Sequence, residues 1–355
     1  MIKNVAVLGL GKVGSLVAIL LKNSGFKVTG IDSAKSDLGF KTISGDLSDF
    51  KFIQKTIKGH DAVVSCLPYN LNKNVVKAAF ENEIHYFDLT EDVPTANYIK
   101  SLSKKAKSIL APQCGLAPGF IAIVGASLAK NFEKIRSIEL RVGALPQSPK
   151  GELSYAFNWS AEGVVNQYLN DCQIINDGEI KLVPAMGDLE KIVIDGKTFE
   201  AFTTSGGLGS MCESFAGKVD KLNYKTIRYK GHMKLMKFYF HELLMKDNRK
   251  MAGEILVNAH PPVNNDVVYV YAAVDGWKKQ GSKQAHCHDE FVKAYYPKNI
   301  NGTEWRAISW TTACSIAAVI EMAAKGKLPQ KGYIKQEDIS LTEFLKTKNG
   351  ALYVS

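Results

Sequence analysis

The hexapeptide Gly9-Leu10-Gly11-Lys12-Val13-Gly14 is the first place where residue type and spacing together specify chemistry. It follows the apolar run Val5-Ala6-Val7-Leu8, after which Val13, Leu16, Val17, Leu20 and Leu21 recur at helical spacing. A strand, a glycine turn and a helix in that order hold a pyrophosphate. Gly9 permits the tight turn, Gly11 lets backbone approach the phosphates, and Gly14 lets helix and strand pack closely. Lys12 and Val13 lie where the helix begins, and its unpaired N–H groups favour an anion. Asp32 ends the next apolar stretch, near the ~20-residue offset at which an acid meets ribose hydroxyls. An acid there repels a 2′-phosphate, so NAD is expected over NADP. Lys35 is close enough in sequence to weaken that preference, and NADP stays open.

Ligands of such a fold lie beyond the carboxyl ends of the strands. Four ends are readable: Gly45-Asp46-Leu47, Ser65-Cys66-Leu67-Pro68-Tyr69, Asp88-Leu89-Thr90-Glu91 and Gln113-Cys114-Gly115. Cofactor contacts are expected at Asp46, Leu47, Ser65, Leu67, Pro68, Leu89, Cys114 and Gly115. The last end lies in an uncharged stretch of 22 residues, 108–129. That is enough to cross a bilayer by length. Pro112, Gln113, Gly115, Pro118, Gly119 and Gly125 interrupt it, however, and no other segment offers helices to surround a broken span. A strand, a small-residue loop and a buried helix are expected, the loop giving a nicotinamide ring a dry seat. Hydride transfer needs no thiol nucleophile, so Cys114 reads as a small buried neighbour of the cofactor.

The elements that must position these ends alternate. Strands are expected at residues 5–8, 27–31, 41–44, 61–67, 85–89 and 109–112, with helices starting near 49 and covering 71–80 and 95–107. That alternation predicts an α/β fold with a doubly wound parallel (Rossmann) sheet. After Phe132 the pattern changes. Hairpin signals appear at Asn176-Asp177-Gly178 and Asp195-Gly196, and longer strands at 266–277 and 282–296. A second α+β domain with a mostly antiparallel sheet follows. An apolar helix over 311–324 is expected to return to the first domain, giving a partition into 1–120 plus 305–355 and 121–304.

A chain of 355 residues suits two domains. Its formal charge of +10 raises the question of nucleic acid, and eight Lys and Arg fall in residues 224–250 against Glu242 and Asp247. They alternate with Met233, Leu235, Met236, Phe238 and Phe240, the pattern of an amphipathic helix with a solvated face, and no nucleic-acid module accompanies them. Six scattered cysteines without a CxxC pair fit free thiols in a reducing compartment. The N-terminal residues carry no secretory cleavage pattern. A cytoplasmic protein without nucleic-acid or membrane partners is expected. In His286-Cys287-His288 the cysteine points away from both histidines on a strand, so no metal is expected.

Several motifs resemble the saccharopine dehydrogenase family: Gly-Leu-Ala-Pro-Gly from Gly115, Val-Gly-Ala-Leu-Pro from Val142, Trp-Ser-Ala-Glu-Gly from Trp159, Thr-Ser-Gly-Gly-Leu-Gly from Thr204 and Thr-Ile-Arg-Tyr-Lys-Gly-His from Thr226. The resemblance runs over nearly the whole chain and looks most like the lysine 6-dehydrogenase branch. It implies NAD-linked oxidation of the lysine ε-amino group to a semialdehyde plus ammonia. It also implies an NAD-binding first domain, a substrate-binding and dimerisation second domain, and a homodimer. The other readings are a saccharopine or carboxynorspermidine dehydrogenase acting on a secondary amine, and a non-catalytic NAD-binding sensor. Ala117 and Val142 stand where the saccharopine-forming reductases carry an aspartate and a cysteine, which argues against a bulky, multiply charged substrate. By the same resemblance Tyr69, Leu89 and Thr90 line the pocket, Asn158 and Ser160 flank a substrate-facing strand end, and Arg228 meets the substrate.

Hydride leaves carbon when the adjacent nitrogen carries a free lone pair, so an ammonium with a pKa of about 10.4 must first lose a proton. Asp88 and His232 are rival candidates for the base, and Tyr69 is a possible donor. Arg228 is expected to clamp an α-carboxylate. Glu162 either pairs with an α-ammonium or stabilises a helix start.

Overall fold

The computed structural model describes residues 2–34, 37–281 and 283–355; Lys35 lies outside them. In chain order the first elements are β1 (Asn4–Leu8), α1 (Gly14–Asn23), β2 (Lys27–Asp32), β3 (Lys41–Ser44), α2 (Phe50–Ile57), β4 (Ala62–Ser65), α3 (Tyr69–Glu81), β5 (His85–Asp88), α4 (Val93–Leu102), β6 (Ile109–Ala111) and α5 (Phe120–Ala129). Then come β7 (Lys134–Pro146), α6 (Ala161–Leu169), β8 (Cys172–Asn176), β9 (Glu179–Val183), β10 (Glu190–Ile194), β11 (Lys197–Thr203), α7 (Met211–Phe215), β12 (Val219–Arg228), α8 (His232–Lys237), α9 (Arg249–Ala259), β13 (Asp266–Gln280), β14 (Lys283–Tyr295), β15 (Lys298–Ile300) and β16 (Thr303–Trp305). The chain ends with α10 (Ala307–Ala324), β17 (Gly332–Tyr333) and α11 (Leu341–Leu345). Contacts divide it into two units, residues 1–123 with 309–355, and residues 124–308.

The first unit is built on a seven-stranded sheet in the order β17-β6-β5-β4-β1-β2-β3. Every pairing in it is parallel. Val5 to Leu8 are completely buried, because a parallel sheet wound on both sides gives its central strand no wet face. Asp49 caps α2 by accepting from Lys51 N at 2.9 Å, and Asp92 caps α4 by accepting from Thr95 N at 2.9 Å. Such a cap contributes about 1 kcal/mol and explains why α4 begins before the expected Thr95. That helix also stops at Leu102, giving way to a 3-10 turn over Ser103–Lys105 instead of continuing to 107. Residues 108–129 form β6, a loop and α5. Helix α10 has a mean hydropathy of 1.4 over a length able to cross a membrane, yet 83% of that window is buried inside the protein. Strand β17, two residues long, extends the sheet beyond β6 and has no periodicity by which sequence could reveal it.

The second unit holds an eight-stranded sheet, β10-β11-β12-β7-β13-β14 with β8 and β9 attached through β12. All its pairings are antiparallel except β12 with β7. Both expected hairpins form. Asp177 and Gly178 have φ of 55° and 79°, and Asp195 and Gly196 have 49° and 72°, the left-handed pair a type I′ turn requires. Residues 224–250 do not form one amphipathic helix. Tyr224 to Arg228 end β12, and helix starts only at His232, passing into a π-turn over Phe238–Glu242. The alternation of lysine with apolar residues there was strand periodicity first and helix second.

Candidate functional site

The glycine turn between β1 and α1 is shaped by contacts that leave no room for side chains. Gly9 has φ +87°, and a Cβ there would stand 2.9 Å from Cys66 O and from Leu67. A Cβ on Gly14 would meet Gly9 O at 1.8 Å, whereas one on Gly11 would meet nothing within 4 Å. Two glycines therefore pack the turn against the end of β4, and the third faces open space. Helix α1 follows with no side-chain cap and no acid in its first turn, so the positive end of its dipole favours an anion, although Ser15 N already donates to Gly11 O at 3.0 Å. Asp32, at the end of β2, accepts from Leu10 N, from Ala34 N at 3.0 Å and from Ser33 Oγ at 3.2 Å. Burial pushes this carboxyl up, but the Ala34, Leu10 and Ser33 hydrogen bonds outweigh it and hold the group below its ordinary range. An ionised acid thus adjoins an open, uncapped helix start, and this cradle fits the diphosphate and ribose of a dinucleotide.

The neighbouring strand ends form a second group. Asp88 is completely buried and accepts from Tyr86 Oη at 2.7 Å, Thr90 N at 3.0 Å and Gln113 N at 2.9 Å, while Cys114 N donates to its carbonyl at 2.9 Å. Burial lifts its pKa to about 6 against those three hydrogen bonds. The carboxylate is occupied in tying the end of β5 to the loop after β6, and it holds Gln113 in the left-handed region at φ 65°. In that loop Gly119, at φ +131°, lies where a Cβ would be 2.0 Å from Gly115 O. Leu89 packs close to Gly115, since a Cβ there would meet its side chain at 3.6 Å. Ser65 Oγ donates to Asn72 Oδ1 at 2.6 Å, joining β4 to α3. The Cys114 thiol is pushed far up by burial and by the Asp88 charge, so it is no nucleophile at neutral pH. Gln336, from the tail, donates to Pro112 O at 3.0 Å and to Cys114 Sγ at 3.3 Å. It went unnoticed in the sequence, where a glutamine between turns gives no signal.

The third group belongs to the second unit. Arg228 ends β12 with 2% of its surface exposed. Its Nε donates to Tyr168 Oη at 2.8 Å and one terminal nitrogen donates to Ile227 O at 2.8 Å. The guanidinium lies 4.7 Å from the Tyr155 ring centre and 5.8 Å from that of Tyr168. Among the described residues no carboxylate forms an ion pair with it, in contrast to Arg141 with Glu190 and Lys225 with Asp188 and Glu190. Glu200, opposite Arg228 across the β11–β12 pairing, instead accepts from Gly231 N and Met233 N at the start of α8. The Tyr155 hydroxyl is buried without a hydrogen-bond partner among the described residues. His232 is buried too, with Nδ1 3.0 Å from Leu153 O and Nε2 2.9 Å from Tyr168 Oη. Burial and the Arg228 charge push its pKa down to about 3. Of the two rival bases, Asp88 accepts from three donors, and His232 stays neutral with both nitrogens engaged.

The remaining expected site residues stand beside these groups or outside them. Asn158 Oδ1 accepts from Val263 N at 2.8 Å, and Ser160 caps α6 by accepting from Gly163 N at 3.0 Å. Glu162 is exposed in the first turn of α6. Asp46 accepts from Ser48 N at 2.8 Å and Ser48 Oγ at 2.7 Å beyond β3, with Leu47 buried beside it. Thr90 is buried next to Asp88, whereas Tyr69, at the start of α3, and Leu67 are half-buried and Pro68 is exposed. On β14, His288 bonds Asp275 at 3.1 Å, and no group of three metal-ligating side chains occurs among the described residues.

Comparison with known proteins matches residues 5–111 to the family profile "Saccharopine dehydrogenase NADP binding domain" and residues 115–348 to "Saccharopine dehydrogenase C-terminal domain". The saccharopine dehydrogenase [NADP(+), L-glutamate-forming] of Pyricularia oryzae is 26% identical over 253 residues, 66% of this chain and 56% of that one. The Saccharomyces cerevisiae protein of the same name is 28% identical over 202 residues, 51% of this chain and 44% of its own length. The chain therefore spans about half the length of these curated relatives in the matched regions. Among solved structures, apo saccharopine dehydrogenase (L-Glu forming) from Saccharomyces cerevisiae superposes with a TM-score of 0.75 at 16% identity, covering 98% of both chains. The DAP dehydrogenase of C. glutamicum follows at 0.51 and 11% identity, covering 99% of this chain and 98% of that one. At these identities the two superpositions establish the fold.

Proposed function

The chain belongs to the saccharopine dehydrogenase family, and from that premise we propose that it is a nicotinamide-dependent dehydrogenase oxidising the ε-amine of lysine or a close relative. The observation that carries this reading is Arg228. A guanidinium that has left water without meeting a carboxylate is costly, and an amino-acid carboxylate supplies the missing charge. Two parallel N–H···O bonds from such an arginine fix a carboxylate's orientation as well as its place. A non-catalytic dinucleotide sensor has no use for that grip.

The first unit would hold the dinucleotide through Gly9, Gly11, Gly14, the start of α1 and Asp32. When bound, the nicotinamide supplies the acceptor for a hydride. The residues' own share is positional. Asp88 fixes Thr90 and the loop through Gln113, Cys114 and Gly115, and the uncharged, buried loop excludes water from the ring's seat. The C–H bond breaks with its electron pair leaving as hydride, the nitrogen lone pair forms the C=N bond, and water then releases ammonia and the semialdehyde. The ammonium proton must leave first. Of the three groups proposed from sequence for proton handling, Tyr69 is the one that remains partly exposed. Glu162, also exposed, suits the substrate's α-ammonium.

Two specific observations favour nearby readings. The named relatives release glutamate from saccharopine, a secondary amine, and their names carry NADP(+). Against the first stands Ala117 in place of an acid in the loop after β6. Against the second stands ionised Asp32, which disfavours a 2′-phosphate. One assay separates these readings: L-lysine and saccharopine are each offered with NAD and with NADP, and reduced cofactor, ammonia and glutamate are measured. NADH and ammonia in equal amounts from lysine are expected, with NAD preferred at least tenfold in kcat/KM. Glutamate from saccharopine, without turnover of lysine, would replace this reading with that of the relatives.

A further inference from the structure

Arg228 does not rest on its surroundings passively: it is held in a directed chain of hydrogen bonds. Leu153 O can only accept, so the His232 nitrogen 3.0 Å from it, Nδ1, carries the proton. In the neutral ring Nε2 is then an acceptor, and Tyr168 Oη, 2.9 Å away, must be its donor. With its own proton committed, the Tyr168 oxygen turns its lone pairs to Arg228 Nε at 2.8 Å. The direction of every bond is fixed from the Leu153 carbonyl outward. Edge contacts lock the ring planes, with His232 5.2 Å from Tyr155 and 5.8 Å from Tyr168 at steep angles. All four side chains are nearly or completely buried.

We propose that Tyr168 and His232 are positioning residues that aim the Arg228 guanidinium, and so set the enzyme's preference for substrates bearing a carboxylate. The inference rests on the reading of Arg228 as a carboxylate grip. Nε is locked to Tyr168 and one terminal nitrogen donates to Ile227 O, so the other terminal nitrogen and the remaining proton of the first are left to face the ligand. A neutral acceptor at Nε costs the cation none of its charge, whereas a carboxylate there would neutralise it before substrate arrived. This accounts for a buried arginine whose second attachment, Ile227 O, is also uncharged.

The test compares the full chain with Tyr168→Phe, His232→Ala, His232→Gln and Arg228→Leu. It reads KM and kcat for L-lysine, inhibition constants for 6-aminohexanoate, which keeps a carboxylate, and for cadaverine, which lacks one, and the melting temperature. Tyr168→Phe and His232→Ala should raise lysine KM and the 6-aminohexanoate constant together by about tenfold, the effect of one misdirected charged hydrogen bond. Under saturation kcat should stay within about threefold and the cadaverine constant should not move. His232→Gln, whose amide oxygen accepts the same Tyr168 proton, should stay near wild-type KM. Equal losses for both inhibitors, a fall in kcat at constant KM, or an effect matching the drop in melting temperature in every variant would overturn the proposal. If Arg228→Leu raises KM and Tyr168→Phe does not, only the positioning role is lost. If Arg228→Leu leaves KM unchanged, the carboxylate reading itself has failed.

Discussion

At the scale of single residues, the informative positions are those where burial and charge disagree. Asp88 keeps an acid in a dry place, and burial raises it to about 6. In the unfolded chain its pKa is about 3.9, so unfolding releases its proton more readily. Its contribution to stability is therefore whole below about pH 4 and is lost as pH rises through 6. A difference of about two units corresponds to roughly 3 kcal/mol. Asp88→Asn keeps the shape, lets Tyr86 accept instead of donate, and has no proton to lose. Measured by urea unfolding, the stability difference between variant and wild type should shift in the variant's favour by about 2–3 kcal/mol between pH 4 and pH 7.5. A difference that does not change with pH would remove the buried-acid account. The sequence made Asp88 visible as an acid at a strand end, and Tyr86 and Thr90 stand only two residues to either side of it, but Gln113 is brought to it only by the parallel pairing of β5 with β6. Tyr168 and Tyr155 were invisible for the same reason. Tyr168, on α6, and Tyr155, in the loop before it, read as core until the fold sets a guanidinium against them.

At the scale of elements, the turn after β1 and the loop after β6 carry the proposed cofactor site, and both depend on glycines that leave no space. Gly119→Ala forces a methyl to within 2.0 Å of Gly115 O at a backbone angle that L residues rarely adopt. The expected cost is about 1–3 kcal/mol, seen as a lower urea midpoint, with weaker NADH binding by fluorescence because the loop must open. A variant as stable as wild type would mean the loop is not closed on itself in this way. Most elements were legible because apolar spacing and turn residues agreed, as in the β1-turn-α1 unit and the two Asp-Gly hairpins. The failures have physical causes. Strand β17 is too short to show a period, and the basic stretch after Tyr224 mixed strand and helix periods that a single window could not separate.

At the scale of the whole molecule, the chain pairs a parallel dinucleotide-type unit with a mixed-sheet unit, and each carries part of the proposed chemistry. The first offers a helix start without a side-chain cap, the second an arginine with no ion-paired acid among the described residues. Composition alone left open whether the charge of +10 marks a nucleic-acid binder. The structure distributes the basic residues of 224–250 between two buried side chains, Lys225 and Arg228, and an exposed helical surface. Only the buried pair distinguishes itself, because Lys225 has its acids and Arg228 has no ion pair with a carboxylate among the described residues. The most direct measurement is the effect of Arg228→Leu on turnover of L-lysine and on the dissociation constant of NADH. The account predicts a KM at least about 100-fold higher, the loss of a charged, buried carboxylate grip, with NADH affinity within about twofold. An unchanged KM, or lost NADH affinity at constant KM, would contradict it.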